Sequence, residues 1–247
     1  MSPRFAALLL AVAGSLSCAA KAAEAPVLAP FSAAAPGASL PAPWKLTTLP
    51  GIGRHTRYSL VRDGDAVVLR ADANASMAGV AHPLKLDART HPVIEWRWKI
   101  LSLLQKSDIA TKAGDDFPAR VYVLFDYDIR KLSFSVRARI RLARLYGADV
   151  PLAALCYVWD GKTPAGTSVW SAYTDRVRMI VVESGSANLG KWVTTRRNVA
   201  ADFRAAFGED PPAISGVVLA TDTDNTGESA TAFYGDIRFL NSTASVN

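Results

Sequence analysis

The chain has 247 residues, 50% of them hydrophobic, with two cysteines and a formal net charge of +6. That is enough apolar material for one sizeable core, and a charge too mild to argue for nucleic acid, for which no recognition motif is present either. Charges interrupt every apolar run before it reaches the roughly 20 residues a membrane-spanning helix needs, which excludes a transmembrane segment of that kind.

In chain order, Met1 to Ala22 has the three parts of a secretory signal: Arg4 near the start, the apolar run Phe5 to Val12, and Ala20-Lys21-Ala22 as the small-residue cleavage site. The expected product is an exported protein, periplasmic or secreted. A lipoprotein anchored through Cys18 is the alternative, although Ser15 stands where lipid attachment prefers a branched apolar residue. Loss of Arg4 and Lys21 leaves 26 basic against 22 acidic residues, a net +4. It also leaves Cys156 alone, so no internal disulfide is expected. Cys156 sits in an apolar run and reads as a buried structural thiol rather than a nucleophile.

Residues 23–42 are rich in Ala and Pro and read as an extended tether. Residues 43–240 read as one folded domain and 241–247 as a disordered tail. Within the domain the dominant period is two. Strands are expected at Arg57–Val61 and Ala66–Ala71, a hairpin around Asp63-Gly64-Asp65, and at Val93–Ile100. The last alternates cleanly, with Ile94, Trp96, Trp98 and Ile100 on one face and Val93, Glu95, Arg97 and Lys99 on the other. Arg120–Phe125 and Leu155–Trp159 follow. Val177–Glu183 and Lys191–Thr195 are expected to form a hairpin around Ser184–Gly190, and Ile214–Thr221 and Ala230–Phe239 a last pair around an acidic loop. Two segments change period to helix. Ser133–Tyr146 gathers Arg137, Arg141 and Arg144, a solvated face or an anion-binding one, with a strand over Val136–Leu142 as the alternative, and a short helix capped by Asn198 carries Phe203 and Phe207 and stops at Gly208. Strands at this spacing predict an all-β, mostly antiparallel fold: a single β-sandwich or jelly roll with two short accessory helices.

Several strings taken together resemble a known family. They are Ile94-Glu95-Trp96-Arg97-Trp98-Lys99, Gly114-Asp115-Asp116 with Ala119-Arg120-Val121-Tyr122-Val123, Tyr157-Val158-Trp159, Asn188-Leu189-Gly190-Lys191-Trp192, and Asp222-Thr223-Asp224-Asn225-Thr226-Gly227. The chain is similar, over about Trp44 to Phe239, to the bacterial exported proteins of the domain of unknown function 3047. The resemblance implies an extracytoplasmic protein and supplies no activity or catalytic residue.

Candidate chemistry concentrates in three places. Asp222, Asp224, Thr226 and Glu228 alternate along a loop in which Gly227 permits a sharp turn, an arrangement that could aim several oxygens at calcium. It is not an EF-hand, because the twelfth position from Asp222 is Phe233. The competing reading is a hairpin turn held by local hydrogen bonds. Asp115 and Asp116 lead into the strand of Arg120 and Tyr122, so a ligand site or a paired-carboxylate centre would form if these residues met Asp222 or Glu228 in space. An Asp–Arg pair pinning a loop is the structural alternative. Trp170, Tyr173 and Trp192 are the surface aromatics best placed to stack on sugar rings. The histidines His55, His82 and His91 have no zinc spacing, and no hydrolase elbow, phosphate loop or dinucleotide fingerprint occurs.

The reading that follows is a non-catalytic ligand-binding module for a carbohydrate or another cell-envelope component. Asp115, Asp116, Arg120, Tyr122, Trp170, Tyr173 and Trp192 are its candidate contacts, and calcium its candidate cofactor. A polysaccharide hydrolase or lyase using Asp116, Asp222, Asp224 or Glu228 is the first alternative, and a structural envelope protein without a small ligand the second.

Overall fold

A computed structural model describes residues 27–145 and 151–241. The signal segment with Cys18 and the tail beyond Asn241 lie outside the described residues. The expected all-β sandwich is what forms. The first sheet consists of β1 (Val27–Leu28), β3 (Arg57–Asp63), β4 (Ala66–Asn74), β6 (Val93–Ile100), β11 (Val193–Asn198) and β13 (Ser229–Leu240). Its order is β11-β6-β13-β4-β3, with β1 added along the far half of β13. The second sheet has seven strands: β2 (Lys45–Thr47), β5 (Met77–Leu86), β7 (Ala119–Phe125), β8 (Ala154–Asp160), β9 (Ser168–Ser171), β10 (Thr174–Ser184) and β12 (Ile214–Asp222). They run β2-β5-β12-β7-β8-β10-β9. Pairing is antiparallel except between β8 and β10.

Alternation in β6 builds the core. Ile94, Trp96, Trp98 and Ile100 all point inward and are at most 1% exposed. Trp96 stacks on Tyr157 of β8 with centroids 5.3 Å apart, and Trp98 tilts against Trp159 at 5.9 Å. Those two contacts join the sheets, and burying each such ring contributes about 1.5–3 kcal/mol. Helix α2 (Val199–Phe207) closes one end, with Asn198 accepting from the Ala201 N–H, Phe203 against Phe125 at 4.5 Å, and Gly208 as a left-handed stop. Helix α1 (Phe134–Leu145) follows β7, with Ile140 buried.

Three features depart from the sequence reading. Residues 27–34, inside the Ala/Pro-rich stretch, lie against the sandwich. Val27 and Leu28 pair with Arg238 and Ile237, and Phe31, an apolar ring among small residues, is buried beside Trp44. The segment Ser184–Gly190 does not close a hairpin: β10 belongs to the second sheet and β11 pairs with β6 of the first. Likewise β12 and β13 lie in different sheets, so the acidic loop is a crossover from one sheet to the other rather than a hairpin turn. Turn chemistry is the same in both cases, and Gly185, Gly190 and Gly227 all have positive φ. What separates a hairpin from a crossover is which long-range partner each strand finds.

The outer faces of the two sheets differ. That of the second sheet is covered by the loop of residues 101–118, whose Ile109 and Phe117 form a second small core with Cys156, Val158, Met179 and Val181. That of the first sheet carries polar side chains, among which Arg57, Ser59, Thr194, Arg196 and Arg238 are exposed.

Candidate functional site

The covering loop delivers Asp115 and Asp116 to the start of β7. Gly114 makes the delivery possible, because a Cβ there would lie 2.6 Å from the Asp108 nitrogen, whose N–H donates to the Gly114 carbonyl at 2.8 Å. Ser107 Oγ fastens the Asp116 carbonyl at 2.8 Å. From the other side, β12 ends at Asp222 and the crossover continues through Asp224. One carboxylate oxygen from each of Asp116, Asp222 and Asp224 lies within 4.8 Å of the others.

Arg120 organises the inner edge of this cluster. Its Nε donates to Asp222 Oδ1 at 2.9 Å, Nη2 reaches Asp222 Oδ2 at 2.7 Å, and Nη1 donates to Asp115 Oδ1 at 3.0 Å and to the Tyr122 hydroxyl at 3.2 Å. The Asp115 carbonyl also accepts from Nη2. Phe117 N–H adds a bond to Asp222 Oδ1, and Thr226 N–H donates to Asp116 Oδ2 at 2.6 Å. Asp116 is 0% exposed, Arg120 3% and Asp222 5%. Burial pushes the Asp222 carboxyl up to about 7, against Arg120 and with help from Asp116 and Asp115. Burial also raises Asp224, again assisted by Asp116. Cys156, beneath Arg120 on the same face, is pushed up to about 12 by burial, consistent with an inert structural thiol.

The remaining residues singled out from sequence divide among other places. Thr226 joins the cluster through its backbone. Glu228 is turned away, its two oxygens accepting from the Gln105 and Lys106 N–H groups at 3.0 Å each. Tyr173, 55% exposed, donates from its hydroxyl to the Lys112 carbonyl and accepts from Asn225 Nδ2, pinning covering loop and crossover together. Trp170 packs edge-on against Phe207 with Arg178 above its ring at 5.0 Å.

Trp192 lies elsewhere, on the outer face of the first sheet, and there it is one of a set. Arg97 sits over its ring at 4.6 Å and Lys99 at 5.2 Å. Lys99 is also 4.5 Å from the Phe233 ring, which Arg70 approaches at 5.8 Å. The strand registers align these groups: Phe233 is opposite both Lys99 and Arg70, and Arg70 is opposite Ser59. Gly235 leaves room for Arg97 to lie flat, since a Cβ there would meet Arg97 Cγ at 2.5 Å. Three carboxylates orient the cations. Asp63, at the tip of the β3–β4 hairpin, accepts from Lys99 Nζ at 2.7 Å and Trp192 Nε1 at 2.6 Å. Asp72 takes a forked pair of bonds from Arg70, and Glu95 one guanidinium each from Arg196 and Arg238. Lys99 above all holds Asp63 below the usual carboxylate range, and burial of Glu95 is outweighed by its two arginines, which hold it low as well. With Arg57, the face has six basic side chains over three acids. A surface concavity lined by Arg57, Ser59, Arg70 and Asp72 lies on it.

Sequence reasoning singled out Trp192 but not its neighbours. The signal was present: Glu95, Arg97 and Lys99 occupy the outward positions of the cleanest alternating strand. What was missing was the identity of the neighbouring strands, which bring Phe233 and Arg70 into the same row.

A family model described as "Protein of unknown function (DUF3047)" matches residues 42–238. No curated protein matches the chain. Among solved structures, the one titled "Cellulose induced protein, Cip1" is similar with a TM-score of 0.32 and 11% identity, over 80% of this chain and 90% of that one. That likeness is too distant to transfer a site.

Proposed function

The chain belongs to the DUF3047 family, and we propose that it is a non-catalytic binding module, exported from the cell, that holds an acidic polysaccharide on the outer face of its first sheet. The observation that carries this reading is the row Trp192, Lys99, Phe233 and Arg70, flanked by Arg97, Arg196, Arg238 and Arg57, on one sheet face. Aromatic rings beneath the cations give them a fixed base worth about 0.5–1 kcal/mol per contact at exposed sites. Carboxylates behind them set the direction of the Arg70, Arg196 and Arg238 forks. Planar guanidinium groups so held suit the carboxylate or phosphate groups of a polyanion. Exposed Ser59 and Thr194 can bond sugar hydroxyls.

Export is supported by the tripartite start of the sequence, Met1 to Ala22. Among the described residues no helix is long and apolar enough to cross a membrane. The non-catalytic reading is supported by the burial of Asp116 and Asp222. A glycosidase pair flanks a cleft open to its substrate, whereas Asp116 is 0% and Asp222 5% exposed, with Asp222 paired to Arg120.

Calorimetric titration with a soluble polyuronate and with a neutral glucan tests the proposal. Saturable binding of the polyuronate alone, weakening as salt rises and without release of shorter or unsaturated products, is expected. Equal affinity for the neutral glucan, or steady product release, would overturn it.

A further inference from the structure

The acidic cluster at the opposite end of the covering loop takes no part in that binding face, and it is not balanced as it stands. Asp115 and Asp222 pair with one guanidinium, Arg120, while Asp116 and Asp224 crowd against Asp222 without an ion pair of their own among the described residues. Asp222 has both oxygens occupied by Arg120 and the Phe117 N–H, and Asp115 spends one on Arg120. Asp116 is different. Its Oδ2 accepts from the Thr226 N–H, but its Oδ1 is buried with no hydrogen-bond partner among the described residues, on a 0% exposed residue whose carboxylate belongs to the cluster. An unsatisfied neutral polar group costs about 1–3 kcal/mol when buried, and a charged one more.

We propose that Asp116, Asp222 and Asp224 bind one calcium ion, which clamps the covering loop of the second sheet to the crossover that leads into β13. The donors are all hard carboxylate oxygens, the set calcium and magnesium prefer. Coordination geometry favours calcium: at about 2.3–2.6 Å it accepts irregularly placed oxygens, whereas magnesium demands near-ideal octahedral geometry, and these three oxygens come from a loop end, a strand end and a crossover. Thr226 contributes to the arrangement by orienting Asp116 through its N–H. Glu228 is outside the ligand set, since the carboxylates that approach within 4.8 Å of one another are those of Asp116, Asp222 and Asp224, and Glu228 is turned to the Gln105 and Lys106 N–H groups instead. The ion would join three pieces distant in sequence: the loop end at Asp116, the strand end at Asp222 and the crossover at Asp224.

The test uses the full chain stripped of metal with a chelator, then titrated with calcium and, separately, with magnesium. Calorimetry should give one calcium per chain, and the melting temperature should rise by several degrees at saturation. Asp224→Asn, at a half-buried position, should weaken calcium binding at least tenfold while leaving the circular dichroism spectrum intact. Asp116→Asn should do the same if it folds, and Glu228→Gln should bind as the parent does. Absence of calcium binding by the stripped protein, parental binding by Asp224→Asn, or equal affinity for magnesium would each overturn the proposal. The polyuronate titration reads different residues, so failure of either proposal leaves the other standing.

Discussion

On the outer face of the first sheet, Glu95 lies under Arg196 and Arg238, whose side chains are 41% and 47% exposed. On that of the second, Arg120 is held between Asp115 and Asp222 at 3% exposure. Both are one charge bridging two of the opposite sign, yet the solvent gives them different work. In the first, water remains the alternative partner, so the pairs hold little free energy and leave guanidinium edges free to meet a ligand. In the second, water has been replaced by Phe117, Ile109 and the covering loop. Every charge there must be answered within the protein or by an ion. One face is therefore suited to reversible binding and the other to locking the fold.

The largest effect should come from breaking the buried bridge. Arg120→Ala leaves Asp222 and Asp115 without their cation and is expected to cost about 3–5 kcal/mol in denaturant unfolding. The same change at Arg238, on the open face, should cost at most about 1 kcal/mol. Similar losses at both positions would erase the distinction. Next in size is the effect on binding. Arg97→Ala and Trp192→Ala should each weaken polyuronate affinity roughly tenfold, about 1.4 kcal/mol, with stability nearly unchanged. Gly235→Ala sharpens the point, because its new methyl would displace the Arg97 stem without removing any charge. A weaker isotherm for that variant would show that the position of the guanidinium matters, not merely its charge.

The smallest expected effect is in acid. Glu95 is held below its ordinary value in the folded chain, so its contribution is present above that value and is lost as pH falls through the folded one. Glu95→Gln should therefore flatten the acid limb of the stability profile by about 1 kcal/mol or less, as followed by melting temperature between pH 6 and 3. An unchanged acid limb would mean the two arginines contribute nothing to stability.

The sequence made much of this architecture legible, for reasons that particular residues explain. The alternation of Ile94, Trp96, Trp98 and Ile100 identified a core strand because burial on one face leaves a period of two. Asn198 and Gly208 marked α2 because helix ends need those residue types locally. Strand β5 was not legible, since Gly79 and Pro83 interrupt it. It tolerates the proline where β2 no longer covers it, that strand reaching only Gly79 to Ala81. At the acidic cluster, Asp116, Asp222 and Asp224 could be suspected from type and spacing. That Glu228 would turn to cap Gln105 and Lys106 could not, because alternation along a loop does not say which way each carboxylate faces.

The central claim is that the open face binds the polysaccharide and the covered face does not. Backbone amide shift mapping during a polyuronate titration of the calcium-loaded protein addresses it most directly. The account predicts that shifts concentrate at residues 57–59, 70–72, 95–99, 192–197 and 231–238, while 105–116 and 222–228 stay still. Shifts centred on those last two segments, with the first sheet silent, would contradict it.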